Sequence, residues 1–243
     1  MTERRVANGP VELAVTERGD PSRPTIVLVH GYPDTSVMWR PVAEFLAERY
    51  HVVAYDVRGA GASTAPHRVQ DYAMERLVED LAAVIDAVAP GRRIHLAGHD
   101  WGSIQSWAAV CSPVVGERIA SFTSISGPSL EHVGAWIRRR TRPPSMRGSR
   151  QLVRQAGRSW YIAAFRIPGI QRAFSRGTAR GFARYLHEKE GVPVDDSYPA
   201  PTFAADGAHG VNLYRANMFG RRRPTVARTD VPVQVVVPNA IAT

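Results

Sequence analysis

The sequence predicts an α/β fold, with a mostly parallel sheet and helices on both of its faces. In the first half of the 243-residue chain, short β-branched runs alternate with stretches in which apolar residues recur at helical spacing. This alternation favours parallel strands joined by crossover helices. A long segment without β-like runs follows, and one more β-branched run comes after it. We therefore expect a core at 1–130, a helical cap inserted after the sixth strand at 131–224, and a return to the core at 225–243.

Each predicted strand is a short β-branched run with Gly or Pro nearby. Asn8-Gly9 predicts a tight hairpin turn, because this dipeptide readily adopts the positive φ angles that such turns need. The arm after it, at 11–17, alternates apolar and polar residues, as a half-exposed strand does. The remaining runs are more continuously apolar, which is typical of strands buried on both faces. They lie at 25–30, 51–56, 93–98, 119–125 and 231–237.

Three helices are predicted between these strands, at 36–49, 72–88 and 101–111. The second has apolar residues at the spacing of one buried helix face. These residues are Leu77, Leu81, Val84, Ile85 and Val88.

The net charge of +9 comes almost entirely from arginine, since Lys189 is the single lysine. Arginine clusters at 138–142 and 221–223 could face nucleic acid, anionic lipid or an acidic partner. No nucleic-acid motif accompanies them, so we interpret both as solvated surface and expect no nucleic-acid partner.

Cysteine usage and hydropathy limit the class of protein. Cys111 is the single cysteine, so disulfides within the chain and cysteine-based metal sites are excluded, and its apolar helical context indicates ordinary packing. No apolar run approaches the ~18 residues of a membrane span, and no secretory signal is visible. We expect a cytoplasmic protein with neither metal nor cofactor.

The pentapeptide Gly98-His99-Asp100-Trp101-Gly102 lies between a predicted strand and a predicted helix. Glycines at its ends permit the tight turn of a nucleophile elbow, which holds the central side chain above the sheet. A carboxylate at the centre forms an ester when it opens an epoxide or displaces a halide, and water can hydrolyse that ester. It is ionised at neutral pH, since its reference pKa is ~3.9. The alternative is an aspartate that only caps the helix.

Two further motifs follow predicted strands. His30-Gly31-Tyr32-Pro33 ends the strand at 25–30, where a backbone N–H after the glycine can donate to an oxyanion. A glycine-rich turn at 56–63 follows the next strand, and we interpret its Asp and Arg as structural.

The segments HGYPD (30–34), DVRGAGAS (56–63) and GHDWGS (98–103) occur in the order and at the spacing of one enzyme family. Over essentially its whole length the sequence resembles the epoxide hydrolase branch of the α/β-hydrolase superfamily. The resemblance implies an α/β-hydrolase fold and Asp100 as a nucleophile that forms a covalent ester with a hydrophobic epoxide. In complete family members this ester is hydrolysed to a diol.

The same resemblance assigns roles to other residues. It implies that the N–H groups of Tyr32 and Trp101 stabilise the oxyanion. It also implies that Tyr161 and Tyr214, in the helical cap, hydrogen-bond the epoxide oxygen. A phenol stays protonated at neutral pH and can donate, although packing is the alternative role for each tyrosine. Structural motif residues are His30, Gly31, Pro33, Gly98, His99 and Gly102.

The cap sequence is apolar in patches, which indicates a small hydrophobic substrate, with a lipid epoxide as one candidate. The apolar residues are Trp160, Ile162, Phe165, Ile167, Ile170 and Phe174.

More narrowly, HGYPDT (30–35), SFTSISGPS (121–129) and TDVPVQ (229–234) resemble the N-terminal hydrolase domain of mycobacterial-type fusion proteins. In these proteins a short-chain dehydrogenase/reductase follows the hydrolase, and they are linked to lipid metabolism. The resemblance implies a fused or partner dehydrogenase domain, and we leave open a homodimer. No glycine-rich dinucleotide fingerprint follows a strand here, so we expect the dehydrogenase to lie outside this chain.

The sequence departs from the family where a catalytic acid and a histidine are expected. Family members carry the acid beyond the strand matching 231–237, but this chain reads Pro-Asn-Ala-Ile-Ala-Thr at 238–243. The alternative acid position holds Ser126 and Gly127. We therefore expect a core without its last strand and helix, which is alkylated but turns over poorly. His209 is a remote candidate for the missing base.

Other functions stay open at this point. A haloalkane-type dehalogenase uses the same aspartate elbow, with Trp101 as a halide donor, but the tyrosines favour an epoxide. A catalytically impaired or non-catalytic module would explain the missing acid and histidine. A serine esterase is disfavoured, since no Gly-x-Ser-x-Gly stands at the elbow.

Overall fold

The computed structural model describes residues 1–143, 145–174, 176–191, 198–218 and 228–237. The arginine cluster at 221–223 and the residues at 238–243 lie outside the described residues.

A seven-stranded sheet forms the centre of the described chain, in the order β1-β2-β4-β3-β5-β6-β7. The first two strands and β4 pair antiparallel, and all other neighbouring strands pair parallel, which confirms the mostly parallel sheet. The strands are β1 (Thr2–Asn8), β2 (Val11–Arg18), β3 (Thr25–Val29), β4 (His51–Tyr55), β5 (Ile94–His99), β6 (Ile119–Ile125) and β7 (Val233–Val236).

Helices cover both faces of this sheet. The helices between strands are α1 (Arg40–Leu46), α2 (Met74–Val88), α3 (Trp101–Val110) and α4 (Pro113–Gly116). The predicted face of α2 is buried in the larger core cluster, as expected. A second cluster on the other side joins α1 to the sheet through Leu28, Ala43 and Val52.

The single helix predicted at 36–49 is wrong. A 3-10 turn, Ser36–Trp39, comes first, and its N-terminus is capped by the Thr35 hydroxyl, which accepts from the Val37 N–H. The α-helix then begins at Arg40, with Pro41 in its first turn, where a residue without an N–H loses no helical bond. The helix predicted from 72 likewise begins at Met74, because the extended backbone of Ala73 separates it from another 3-10 turn.

The segment between β6 and β7 is helical in all its regular described structure except for a bridge residue at 198. Its helices are α5 (Leu130–Thr141), α6 (Met146–Arg158), α7 (Trp160–Ala164), α8 (Arg176–Glu190) and α9 (Phe203–Asn217). The boundaries at 130 and 224 stay predictions. No helix in the described ranges combines the length and the hydropathy that a membrane span requires.

Candidate active site

Asp100 lies in a strained turn between β5 and α3. Its φ is 51° and its ψ is −119°, a region that residues with a side chain rarely occupy. Its side chain makes none of the hydrogen bonds of a helix cap, so the capping alternative is wrong. The turn therefore orients the carboxylate for some other contact.

Three glycines make this turn sterically feasible. A Cβ on Gly98 would lie 2.5 Å from the Gly102 carbonyl oxygen, and a Cβ on Gly102 would lie 2.1 Å from the Val29 carbonyl oxygen. A Cβ on Gly31 would lie 2.5 Å from the Cβ of Asp100. Strand β3, strand β5 and helix α3 thus meet at the carboxylate with no room for larger residues.

Backbone N–H groups hold the Asp100 carboxylate. The Tyr32 N–H donates to Oδ1 at 2.9 Å, and the Trp101 N–H also hydrogen-bonds the side chain. Burial raises the pKa of this carboxyl, while the two N–H groups and His99 oppose that rise. The predicted oxyanion donors therefore both lie at the predicted nucleophile.

The structure brings the two predicted tyrosines together beside this carboxylate. Tyr161 in α7 and Tyr214 in α9 are hydrogen-bonded through their side chains, and Trp101 also forms a side-chain hydrogen bond with Tyr214. Burial, and next the charge of Asp100, raise the pKa of both phenols, so both stay protonated at neutral pH. Tyr214 is 3% exposed and Tyr161 is 38% exposed.

Aromatic rings surround the tyrosine pair. The Tyr214 ring centre lies 4.9 Å from that of Trp101, 5.2 Å from that of Tyr32 and 4.8 Å from that of Phe165, all edge to face. Phe174 also packs against Tyr32, with 6.3 Å between ring centres. The carboxylate is thereby set beside an apolar wall, which strengthens its electrostatic interactions.

The six apolar residues named in the cap sequence do not share one environment. Phe165 is buried, and Ile162, Ile170 and Phe174 pack against the core cluster. Trp160 and Ile167 are 68% and 55% exposed. Side chains this exposed do not belong to an enclosed apolar lining.

Tyr32 also joins the loop after β3 to α9. Its hydroxyl donates to the Gly207 carbonyl oxygen at 2.9 Å, and a Cβ on Gly210 would lie 2.5 Å from its ring. Sequence reasoning missed this contact. The signal was present in α9 as two glycines one turn apart, which let a ring approach the helix backbone.

Asp34, the last residue of the HGYPD segment, is a second acid that sequence reasoning left without a role. Burial raises the pKa of its carboxyl to about 6, opposed by a side-chain hydrogen bond with Tyr198. The charges of Asp100 and Asp206 raise this pKa further. Its position two residues beyond the predicted donor Tyr32 was the available signal.

The remaining motif residues have structural contacts. His30 Nδ1 lies 2.8 Å from the Gly31 carbonyl oxygen, and its Nε2 accepts from the Val57 N–H at 2.9 Å. Burial lowers the pKa of His30 and of His99, which favours their neutral forms. The peptide between Tyr32 and Pro33 is cis.

The glycine-rich turn after β4 is also held by structural bonds. Asp56 accepts from the Ser36 and Ala62 N–H groups, and Arg58 pairs with the buried Asp80 at 2.6 Å. These contacts support the structural interpretation of both residues.

The remote base candidate and the alternative acid position both make structural contacts. His209 Nδ1 lies 3.2 Å from the Gly59 carbonyl oxygen, on the glycine-rich turn. Ser126 has a φ of 56°, and the Gly127 carbonyl accepts from Ser103 and Trp107. Within the described ranges, no cluster of three metal-ligating side chains occurs.

Comparison with known proteins finds similar sequences. The protein named probable oxidoreductase EphD of Mycobacterium tuberculosis is 38% identical over 244 residues, which are 96% of this chain and 41% of that protein. Epoxide hydrolase A of the same species is 35% identical over 212 residues, 86% of this chain and 61% of that protein. The chain thus spans about two fifths of the EphD protein.

Similar folds occur among solved structures. An epoxide hydrolase from Vigna radiata superposes with a TM-score of 0.64 at 26% identity, covering 88% of this chain and 71% of that one. An epoxide hydrolase of Bacillus megaterium shares the fold at a TM-score of 0.73 and 22% identity, covering 96% and 81%. Residues 24–189 match the α/β hydrolase fold family. Together with the parallel sheet and the aspartate elbow, this match shows that the chain belongs to the α/β hydrolase fold family.

Proposed function

We propose that this chain is an epoxide hydrolase-like hydrolase in which Asp100 opens a hydrophobic epoxide. One observation carries the proposal. The half-buried Asp100 carboxylate is held by two backbone N–H groups and lies beside two tyrosines that hydrogen-bond each other. A nucleophile and donors for the departing oxygen are thus combined in one water-poor site.

In the first half-reaction a carboxylate oxygen of Asp100 attacks an epoxide carbon, and the C–O bond of the ring breaks. The ring oxygen becomes an alkoxide, which takes a proton from the pair formed by Tyr161 and Tyr214. The products are a hydroxyalkyl ester on Asp100 and one phenolate in the pair. The raised pKa of both phenols keeps them protonated before the attack. It also favours uptake of a proton by the phenolate afterwards.

In the second half-reaction water attacks the carbonyl carbon of the ester. The N–H groups of Tyr32 and Trp101 then stabilise the oxyanion, since they already bind this carboxylate in the free protein. Collapse of the intermediate releases a diol and restores Asp100. The attacking water must lose a proton, and we assign no described residue to that step.

The substrate class follows from the aromatic wall. Phe165, Phe174 and the rings of Tyr32 and Trp101 present carbon atoms to the site. Such a lining favours an epoxide with an alkyl or aryl substituent, and a lipid epoxide fits this description. The dehydrogenase partner, the homodimer and the cytoplasmic location stay predictions.

The contacts of Trp101 favour an epoxide over a halide. Its indole has a single N–H donor, and its side-chain hydrogen bond is made with Tyr214. A halide acceptor would have to displace that contact. An epoxide oxygen would instead accept hydrogen bonds from the two tyrosine hydroxyls.

The test is formation of the ester under single-turnover conditions. After incubation with styrene oxide, the intact mass is expected to rise by one epoxide, on the peptide that contains Asp100. Asp100→Asn is expected to show no adduct, while Asp86→Asn, on an exposed acid, keeps it. Diol production without halide release from a matched haloalkane would exclude a dehalogenase.

The same measurements have an outcome that contradicts the proposal. No adduct and no diol from the parent protein, with substrate binding unchanged in Asp100→Asn, would support a non-catalytic module and contradict the proposal.

A further inference from the structure

The helical segment after β6 has an extreme charge balance. Residues 132–187 contain 13 arginines and neither aspartate nor glutamate. The rest of the chain carries 18 lysine and arginine residues against 22 aspartate and glutamate residues. The positive net charge therefore belongs to this one segment, whereas a compositional bias toward arginine would spread it over the chain.

The arginines of α6 share one side of that helix. Arg147, Arg150 and Arg154 follow each other at spacings of three and four residues, and all three are exposed. Among the described residues, none of the three forms an ion pair. Their charge is thus available to a partner.

Apolar side chains lie on the same side of α6. Met146 is 78% exposed and Val153 is 72% exposed, and both line one shallow depression together with Arg150 and Arg154. We call this surface the α6 outer face, defined by Met146, Arg147, Arg150, Val153 and Arg154. Trp160, which begins α7 just beyond α6, is also exposed.

We propose that the α6 outer face binds the surface of an anionic lipid bilayer. Arginine forks bind lipid phosphates, and each basic residue near such a surface adds to the affinity. Met146 and Val153 gain free energy only if they leave water, which acyl chains permit and nucleic-acid phosphates do not. A tryptophan near the same surface fits the headgroup layer.

The location has a consequence for the candidate site. Tyr161 follows Trp160 in α7 and is itself partly exposed. Because α7 contacts α6, a bilayer on the α6 outer face would bring a lipid epoxide near the helix that carries Tyr161. This last step rests on the proposed function, whereas the binding itself does not.

The test is co-sedimentation of the full chain with vesicles of phosphatidylcholine and phosphatidylglycerol in equal parts. We expect binding that weakens as salt is raised and is far weaker on pure phosphatidylcholine. Arg147→Gln/Arg150→Gln/Arg154→Gln should lower the partition coefficient roughly a hundredfold, at about fivefold per arginine. Met146→Ser/Val153→Ser should lower it about tenfold or more.

Matched controls distinguish binding through the α6 outer face from a general effect of the net charge. Arg40→Gln/Arg49→Gln/Arg68→Gln removes the same charge from exposed positions of the core and should lower partitioning by less than about threefold. Asp100→Asn should bind vesicles as the parent does. Failure of the proposed epoxide chemistry would therefore leave the vesicle-binding result unchanged. Thermal melts of each variant check that the fold is kept.

Two outcomes would overturn the proposal. One is equal loss of binding in the two arginine variants, or no preference for the anionic vesicles. The other is that a DNA duplex displaces the protein from vesicles at a lower concentration than competing vesicles do, while Met146→Ser/Val153→Ser binds as the parent does. That result would assign the surface to nucleic acid.

Discussion

Helices α9 and α6 belong to the same segment between β6 and β7, yet one is joined to the core and the other faces outward. In α9, Asn217 accepts from the Met74 N–H at 2.9 Å and donates to the Tyr72 carbonyl at 2.8 Å. Asp206 accepts from the Gly61 N–H at 2.9 Å. In α6, Gly148 is the buried residue. The difference shows that the helical segment combines a part of the core with an outer layer.

This division runs through the candidate site. Tyr214 lies on the anchored helix α9, while Tyr161 lies in α7, which contacts the outer helix α6. The two hydroxyls meet across the boundary between the layers. We infer that Tyr214 is held by the core, whereas the position of Tyr161 depends on how the outer helices pack.

The largest expected effect comes from breaking the anchor of α9. Asn217→Ala leaves the buried Met74 N–H and Tyr72 carbonyl without this partner and should lower the free energy of unfolding by about 3 kcal/mol. Gln155→Ala, which truncates an exposed amide in α6, should change it by less than about 0.5 kcal/mol. Urea unfolding measures both, and equal losses would contradict the division into two layers.

Removing one phenol hydroxyl at a time tests whether both layers contribute to the reaction. Tyr214→Phe and Tyr161→Phe should each slow formation of the Asp100 ester by about 100-fold, since each removes a donor to the epoxide oxygen. Tyr185→Phe, on an exposed tyrosine of α8, should leave the rate unchanged. Quenched-flow mass spectrometry gives the rates, and a change below twofold in either site variant would remove that tyrosine from the proposed chemistry.

The smallest of these effects concerns Asp34, whose side chain is hydrogen-bonded to Tyr198. Because the pKa of its carboxyl is raised to about 6 in the folded protein, the unfolded chain loses this proton first as pH rises from 4 to 6. Stability from this group is present at low pH and is lost above pH 6. Asp34→Asn should therefore match the parent near pH 4 and exceed its stability at pH 8 by about 2 kcal/mol, below the full free energy of the raised pKa because solvent screens this half-buried carboxyl.

Urea unfolding at both pH values measures this difference. Glu48→Gln, on an exposed acid, serves as the control. Its free energy of unfolding should stay close to that of the parent at both pH values. A stability difference for Asp34→Asn that does not change with pH would contradict a raised pKa at this position.

Much of the core could be predicted from local patterns. The strands that were given predicted ranges recur within about two residues of them, because β-branched runs between Gly and Pro have few alternatives in a buried sheet. The helix at 36–49 could not be predicted in detail. Whether Thr35 caps a 3-10 turn or an α-helix depends on where α1 packs against β4, and local spacing does not carry that information.

The outer helices were predicted only as a helical segment. Periodicity in α6 shows that one side differs from the other, but it does not show which side meets the core. For the same reason the exposed positions of Trp160 and Ile167 could not be read from their apolar character. Hydrophobic residues at a surface are common enough that burial must be observed.

By itself, the sequence determined the parallel sheet and the elbow that orients Asp100, since glycine spacing and strand patterns act over a few residues. It also determined the arginine-rich, acid-free charge of residues 132–187. Only the tertiary structure decided that Tyr161 and Tyr214 meet beside Asp100, that Asp34 is half-buried near the same carboxylate, and that α9 is anchored while α6 is exposed. These facts depend on contacts between residues far apart in the chain, which are set by packing of the helices on the core.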